Sequence, residues 1–275
     1  FHSVKTISIE SMTSTAAARA AGIRAASALL VALAEDHSFP QPDWAEQFIA
    51  AHKGPWAVVG PAVGNANPDS ALSWTNLTIE YGSWIDPATS GVAEHLPGHN
   101  SCYKRAILLE YGDDLEAMLE AESVLHWDLR SKGHRLYFDA DIKTFHLNYS
   151  LFGPSMVLRF LGGRLFAAAR SRGWTVWRRL FYVLSSPLIP LLRGRRILND
   201  LWRTRQYSGF MPKMLGLLAL LLASDALGEM CGYLFGSGNE MARLSEMEFR
   251  RQRFMKADEI LLTTDHPQLV AAPVE

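Results

Sequence analysis

The pattern of apolar and polar positions divides the chain into a strand-rich first half and a helical second half. Val4 to Ile9 alternates apolar and polar side chains, the period of a strand with one covered face, and the alanine-rich Thr15 to Ala28 is a strong helix former with Ser14 or Thr15 as its cap. Ala28 to Ala34 is short and apolar throughout, which predicts a buried strand. The resulting order of strand, helix, strand is that of a parallel sheet. Pro42 to Ala51 predicts a helix with proline and acids at its start, Pro55 to Gly60 the next strand, and Gly64 to Pro68 a loop.

Tyr111 to Lys132 has a helical period, with Leu115, Met118, Leu119, Leu125, His126 and Leu129 on one stripe and Gly133 closing the helix. Glu122 falls on that apolar stripe. Arg135 to His146 then reads as a strand ending on His146. Beyond Pro154 the chain predicts helices: Trp174 to Leu192, interrupted by Pro187 and Pro190, and Met214 to Ala223, continuing through Asp225 and Glu229 to Phe235. Neither offers the roughly twenty uninterrupted apolar residues of a spanning helix, so in-plane or re-entrant membrane association is expected.

At 275 residues and 48% hydrophobic, the chain can bury one substantial core with an appended segment. Residues 1–150 are expected to form an α/β domain and 151–275 a helical one. The net charge of −1 hides an asymmetry. Between Leu151 and Gln206 stand Arg159, Arg164, Arg170, Arg172, Arg178, Arg179, Arg193, Arg195, Arg196, Arg203 and Arg205 against the single acid Asp200. Such a block predicts an anionic partner. The long aliphatic runs between the arginines favour a membrane surface over nucleic acid. Cys102 and Cys231 match no disulfide or metal-binding spacing, which fits a reducing compartment. Phe1 is not an initiator methionine and no signal-type segment follows it, so the chain is expected to be a fragment.

The candidate chemistry begins with Glu35-Asp36-His37 at the end of the apolar run. Glu35 and His37 offer an oxygen and an imidazole nitrogen to one divalent ion, a donor set that suits Mn²⁺; the alternative is that Asp36 caps a turn and its neighbours are solvated. Glu122 sits among apolar side chains, where desolvation would raise its pKa and suit it to take a proton, unless it is paired to a basic residue. His126 pairs with it or fills the core. His146 completes a metal site from a second segment or is a hydrogen-bonded structural residue. Gly98-His99-Asn100, ahead of Lys104 and Arg105, allows close backbone approach to a polar ligand or forms a plain turn. The sequons at Asn76 and Asn148 match by chance in a chain with nothing else pointing to secretion.

Taken in order, these segments resemble the family 2 glycosyltransferases of the GT-A fold. Ala18-Arg19-Ala20-Ala21-Gly22 is similar to the family's Ala-Arg-Asn-Ala-Gly helix start with Ala20 in place of Asn, and Glu35-Asp36-His37 occupies the position of its DxD motif with Asp36 as spacer. Gly98, His99 and Asn100, followed by the basic pair, resemble its Gly-x-Asn segment; Glu122 matches the second acid of its Glu-Asp motif, with Ala121 for the first, and His146 its late histidine. The resemblance covers about residues 4–150.

The resemblance implies a mostly parallel, Rossmann-like GT-A sheet flanked by helices, incomplete at its N-terminus, plus a C-terminal helical segment. It implies inverting transfer of a sugar from a nucleotide-sugar donor to a saccharide or lipid-linked acceptor, with Glu122 as the base and Mn²⁺ or Mg²⁺ held by Glu35, His37 and His146. Donor and acceptor contacts would come from Arg19, Asp36, Gly98, His99 and Asn100. The expected location is the cytoplasmic face of the inner (plasma) membrane, peripheral or re-entrant, in cell-surface glycan or lipid-linked saccharide synthesis. Two alternatives are a non-catalytic membrane-associated module, consistent with Ala20 and Ala121, and a metal-dependent phosphoesterase using the same Glu and His residues.

Overall fold

A computed structural model describes residues 5–9, 14–204 and 210–264, with backbone alone for Arg203, Thr204, Thr263 and Thr264. Ser14 caps α1 (Thr15–Ala25) by accepting from the Ala17 N–H at 2.9 Å, and Ala16, Ala20 and Ile23 form the helix's buried face. Ala20, at the position where the resemblance has Asn, is thus a packing residue. Residues 5–9 form no strand, and Val4, Phe1 and Arg205 lie outside the described residues.

The chain is α/β, with a mixed sheet in the order β1-β5-β3-β6-β2 and β4 also on β6. The strands are β1 (Leu30–Ala32), β2 (Ser38–Pro40), β3 (Val58–Asn65), β4 (Gly91–Ala93), β5 (Cys102–Lys104) and β6 (Leu136–His146). Only β3 and β6 run parallel; β1 with β5, β3 with β5, and β2 and β4 with β6 are antiparallel. The mostly parallel sheet expected from the order of elements is therefore corrected. Every pair in this sheet joins strands separated by a long stretch of chain, which permits either direction, so the order of elements does not set the pairing. The apolar run at Ala28 also differs from expectation. β1 is three residues long, and Leu29 before it is 88% exposed, so the run is not a buried strand. The β3–β6 register shifts between Pro61, opposite Asp139, and Ala62, opposite Lys143. The two halves of β6 consequently take different partners, β4 near Leu136 and β2 near His146.

Helix α2 (Trp44–Ala51) forms as predicted. The single helix expected over Tyr111 to Lys132 is instead α5 (Leu115–Leu119) and α6 (Glu122–Ser131), following α4 (Arg105–Leu109); the break falls at Ala121, whose backbone is extended at φ −146° and ψ 94°. Glu122 therefore opens a helix rather than sitting mid-stripe. Gly133, at φ +87°, ends α6 in the left-handed conformation. α3 (Ala71–Tyr81) has no apolar stripe in the sequence because its buried face includes Ser73, Thr75, Asn76 and Thr78. Most of their polar atoms find partners locally or in loops: the Ser73 hydroxyl lies within hydrogen-bond distance of Asn65 Oδ1 and Asn67 Oδ1, and Asn76 Nδ2 donates to the Tyr149 carbonyl and Ser155 Oγ, while Asn76 Oδ1 is left without a partner.

The second half folds as α7 (Phe152–Arg170), α8 (Val176–Ser185), α9 (Ile189–Thr204), α10 (Met211–Phe235), α11 (Glu240–Phe249) and α12 (Ala257–Thr264). It does not stand apart from the sheet. Val63, Leu77 and Ile85 share one core with Ile197, Leu201, Leu218 and Leu221, while Ile23, Val58, Leu125 and Leu136 belong to another on the α1–α6 side. α10 is the one described helix long and apolar enough to cross a membrane by length and composition; half of its most apolar window is buried inside the chain. Glycine lets α7 and α10 approach backbone to backbone. A Cβ on Gly228 would lie 2.1 Å from the Phe160 carbonyl oxygen, and one on Gly232 2.3 Å from that of Arg164.

This packing predicts opposite outcomes for two substitutions on one helix. Gly228→Ala forces α7 and α10 apart and costs about 1–3 kcal/mol. Gly216→Ala, exposed with open space around it, stabilises by up to about 1 kcal/mol. Urea unfolding of the two variants reads both signs.

His126 supplies a pH dependence. Its Nδ1 accepts from the Leu96 N–H at 3.4 Å, which leaves the proton on Nε2, 2.9 Å from the Tyr103 hydroxyl. Burial disfavours its charged form and pushes the pKa down to about 4, against a smaller pull from Glu122. Between pH 6.5 and 4 the unfolded chain binds a proton here that the folded chain refuses, so stability falls as pH falls through that window, by about 3 kcal/mol in all. In His126→Gln, which keeps hydrogen-bonding atoms but does not titrate, the urea midpoint declines less between pH 7 and pH 4 than in the wild type. Equal declines would remove His126 as a source of the dependence.

Candidate functional site

The connection between β1 and β2 carries Glu35, Asp36 and His37, and the antiparallel pairing of Ser38 with His146 brings the end of β6 beside it. The Leu147 N–H donates to the His37 carbonyl at 3.0 Å and locks the junction. As a result, one ligand atom each from Glu35, His37 and His146 lies within 4.8 Å of the others, and the two imidazole rings meet edge to face at 4.9 Å.

Hydrogen bonding at the far side of each ring decides what faces inward. His37 Nδ1 lies 2.9 Å from Asp36 Oδ1, an acceptor, so the proton sits on Nδ1 and the lone pair on Nε2. His146 Nδ1 is 2.8 Å from Asn148 Oδ1. The Asn148 amide nitrogen donates to Asn65 Oδ1 and to the His146 carbonyl, which fixes its oxygen toward the ring and gives His146 the same tautomer. Both Nε2 atoms then point lone pairs at Glu35, at 3.7 and 3.6 Å, and His37 Nε2 is buried with no hydrogen-bond partner. Three acceptors converge with no proton between them, an arrangement that a cation satisfies. Burial pushes His146 down to about 4, keeping it neutral. It disfavours charge on Glu35 as well, yet the charge and hydrogen bond of His99 hold that carboxyl well below its usual range. The donor set of one carboxylate and two neutral imidazoles fits a divalent transition-type ion.

Beside this triad, Arg19 Nη1 donates to Glu122 Oε1 at 2.7 Å and its Nη2 lies 3.9 Å from Glu35 Oε1. His99 Nδ1 is 3.0 Å from Glu35 Oε1 and 3.8 Å from Glu122 Oε1. Burial opposes a charge on His99, but Glu35 and Glu122 outweigh it and raise its pKa to about 9. A charged His99 donates Nδ1–H to Glu35, while Arg19, whose Nη2 also lies 2.5 Å from His99 Nδ1, donates from Nη1 to Glu122. Glu122 departs from the expectation of a raised pKa: burial pushes it up, but His99, Arg19 and its own N–H at the start of α6 hold it below the usual carboxylate range. Gly98 lets it in, since a Cβ there would lie 2.6 Å from the Glu122 Cδ and Cγ. Asn100 adopts φ +64° and is buried; its amide donates to Glu35 Oε2 at 3.3 Å and to Ser38 Oγ at 3.0 Å.

All the predicted site residues thus come together. Arg105 does not join them: its guanidinium donates to the Ile23 and Arg24 carbonyls at the end of α1. His126 packs against Tyr103 instead of pairing with Glu122, and both sequon residues, Asn76 and Asn148, are buried. Sequence reasoning missed Asn148, two residues beyond His146, and Ser38, which donates to Glu35 Oε2 at 3.2 Å. It also missed Arg251, which donates to the Leu147 carbonyl at 2.6 Å and lies over the Tyr149 ring. The i, i+2 relation of His146 and Asn148 was a usable signal; nothing near Arg251 was.

Arg19, Glu35, Asp36, His37, His99 and His146 line one cleft of about 970 Å³, closed on its other side by α7, α9 and α10. That volume is at the upper end for small-molecule sites. No protein-family model and no curated protein matches the sequence.

A cation held by this triad binds the folded chain only. At a Mn²⁺ concentration about a hundred times its dissociation constant, the wild type gains about 2.7 kcal/mol in unfolding free energy. His37→Ala and His146→Ala gain far less. Thermal unfolding with and without Mn²⁺ measures this, and a variant that still gains in full takes its histidine out of the ligand set.

Proposed function

We propose that the chain catalyses cation-assisted transfer of a sugar from a nucleotide-sugar donor to an acceptor hydroxyl with inversion, as a GT-A-type family 2 glycosyltransferase. The observation that carries this reading is the proximity of two differently equipped carboxylates: Glu35, which lines the cleft and faces two imidazole nitrogens, and Glu122, which contacts the cleft-lining Arg19 and His99. The first suits a divalent cation and the second suits a proton. Bound at Glu35, His37 and His146, Mn²⁺ or Mg²⁺ would balance the charge of the leaving diphosphate.

The remaining steps belong to the chain. Glu122, ionised by its neighbours, takes the proton of the acceptor hydroxyl as that oxygen attacks the anomeric carbon. Its low basicity while paired with Arg19 is an obstacle that substrate relieves. An arriving diphosphate competes for the Arg19 guanidinium, and a weakened Arg19–Glu122 pair raises the basicity of Glu122 where it is needed. Asp36 and Asn148 orient the two imidazoles, and Asn100 and Ser38 hold Glu35 in place. The basic segment and the unpaired cysteines support action at the cytoplasmic face of a membrane, on a saccharide or lipid-linked acceptor.

Release of nucleoside diphosphate from UDP- and GDP-sugars with Mn²⁺ tests the reading. The wild type releases it faster when saccharide acceptor is added; Glu122→Gln lowers kcat about 10²–10⁴-fold and leaves Mn²⁺ binding intact. Inorganic phosphate formed without acceptor indicates a phosphoesterase instead, and a wild type that releases nothing, matched by Glu122→Gln, indicates a non-catalytic module.

A further inference from the structure

α8, the turn Ser186–Leu188 and α9 are amphipathic, and they carry their apolar side outward. Trp177, Phe181, Leu184, Leu188, Leu191 and Leu192 are 54–82% exposed, and their spacing keeps them on one continuous stripe. The side turned into the protein is partly polar: Arg193 pairs with Asp225 and Glu229 of α10, and the Arg179 guanidinium donates to the Ser171 carbonyl. A surface helix of a protein bathed only in water shows the reverse arrangement. Leaving this stripe in water costs hydrophobic free energy that a covering surface recovers.

Charge identifies the covering surface. Exposed Arg178, Arg195 and Arg196 accompany the stripe, and from Ile142 to Asn199 the chain has no acidic residue at all. In a two-fold pairing with a second copy, these arginines would face their own equivalents. An anionic lipid leaflet accepts both the apolar side chains and the arginines. The same helices form a wall of the cleft, to which Tyr182, Ser185, Ile189, Leu192, Arg193 and Arg196 contribute. The exposed stripe and the cleft wall meet at Leu192 and Arg196, so the stripe runs up to the rim of the cleft.

We propose that α8 and α9 dock in the plane of an anionic lipid leaflet, with the Trp177–Leu192 stripe at the acyl boundary and the arginines among the headgroups. The cleft then opens at the lipid surface. Docking is in-plane rather than spanning: α10 has the length to cross, but it is packed against α7, α8, α3 and α9, and its acids Asp225 and Glu229 are engaged by Arg193. The membrane contact stands apart from the sugar-transfer reading. The corollary, that the acceptor is lipid-borne and reaches Glu122 from this side, rests on it.

Vesicle partitioning of the full chain tests the docking, with no metal, donor or acceptor present. The wild type partitions onto phosphatidylglycerol-containing vesicles more strongly than onto pure phosphatidylcholine. The double variant L184S/L191S, altered only at exposed positions and with an unchanged thermal midpoint, partitions at least about tenfold less, and R178S/R195S loses the preference for anionic lipid. Wild type that binds neither vesicle, or variants that bind as the wild type does, overturn the proposal. A dimer in sedimentation that L184S/L191S converts to monomer, without vesicle uptake, overturns it in favour of a second copy. Because transfer plays no part in this assay, an inactive chain that still partitions overturns the proposed activity alone. Transfer to a lipid-borne acceptor that L184S/L191S loses, while a soluble saccharide acceptor is still used, supports the corollary; equal use of both acceptors by the variant removes it.

Discussion

The ionised carboxylate of Glu35, buried where two neutral imidazoles turn their lone pairs toward it, is the constraint on which the rest of the site depends. A buried carboxylate is costly unless its oxygens are matched by donors. Here Ser38, Asn100 and His99 supply them. The side that faces His37 and His146 has no donor, and that is where the proposed cation would sit. Several otherwise unrelated features serve this arrangement. The β2–β6 register puts Ser38 opposite His146, Asn100 takes a left-handed backbone, and Asn65 and Asn148 form a chain that fixes one ring.

A second carboxylate lies close enough to share His99 with the first, yet its surroundings differ. Glu122 starts a helix, takes its strongest contact from Arg19 and fits only because position 98 has no side chain. Arg19 and His99 lie between two negative charges and keep both ionised. That division, one carboxylate with imidazoles and one with a guanidinium, is the electrostatic basis for assigning a cation to one and a proton to the other.

The C-terminal helices do two things at once. They complete a core begun by β3 and α3, through Ile197, Leu201 and Leu218, and they form the far wall of the cleft. Tight α7–α10 contact at Gly163, Gly228 and Gly232 holds the apolar helix α10 inside the chain, and Arg193 answers its two acids. What remains uncovered is the outer side of α8 and α9, and that is where an external surface is proposed to act.

Much of the site was legible in the sequence, because chemistry-bearing residues in apolar surroundings stand out locally. Glu35, His37, His99, Glu122 and His146 were all nominated from residue type and neighbours, α1 from its alanine content and cap, α2 from the proline and acids at its start, and β6 from its strand-like run. The break at Ala121 was not legible, since Leu115 to Leu129 keeps a helical period across it. Nor was α3, whose buried polar residues find partners 73 and 79 positions away, at Tyr149 and Ser155. Sheet direction was missed for a similar reason: an alternation of helices and strands suggests parallel pairing, but each pairing is decided by which edge a strand reaches. The sequence by itself determined which side chains are equipped for chemistry and where helices such as α1 and α2 start, because those depend on neighbours a few residues apart. Only the tertiary structure decided the tautomers of His37 and His146, the low pKa of Glu122 and the outward apolar side of α8, because each depends on contacts between segments far apart in the chain.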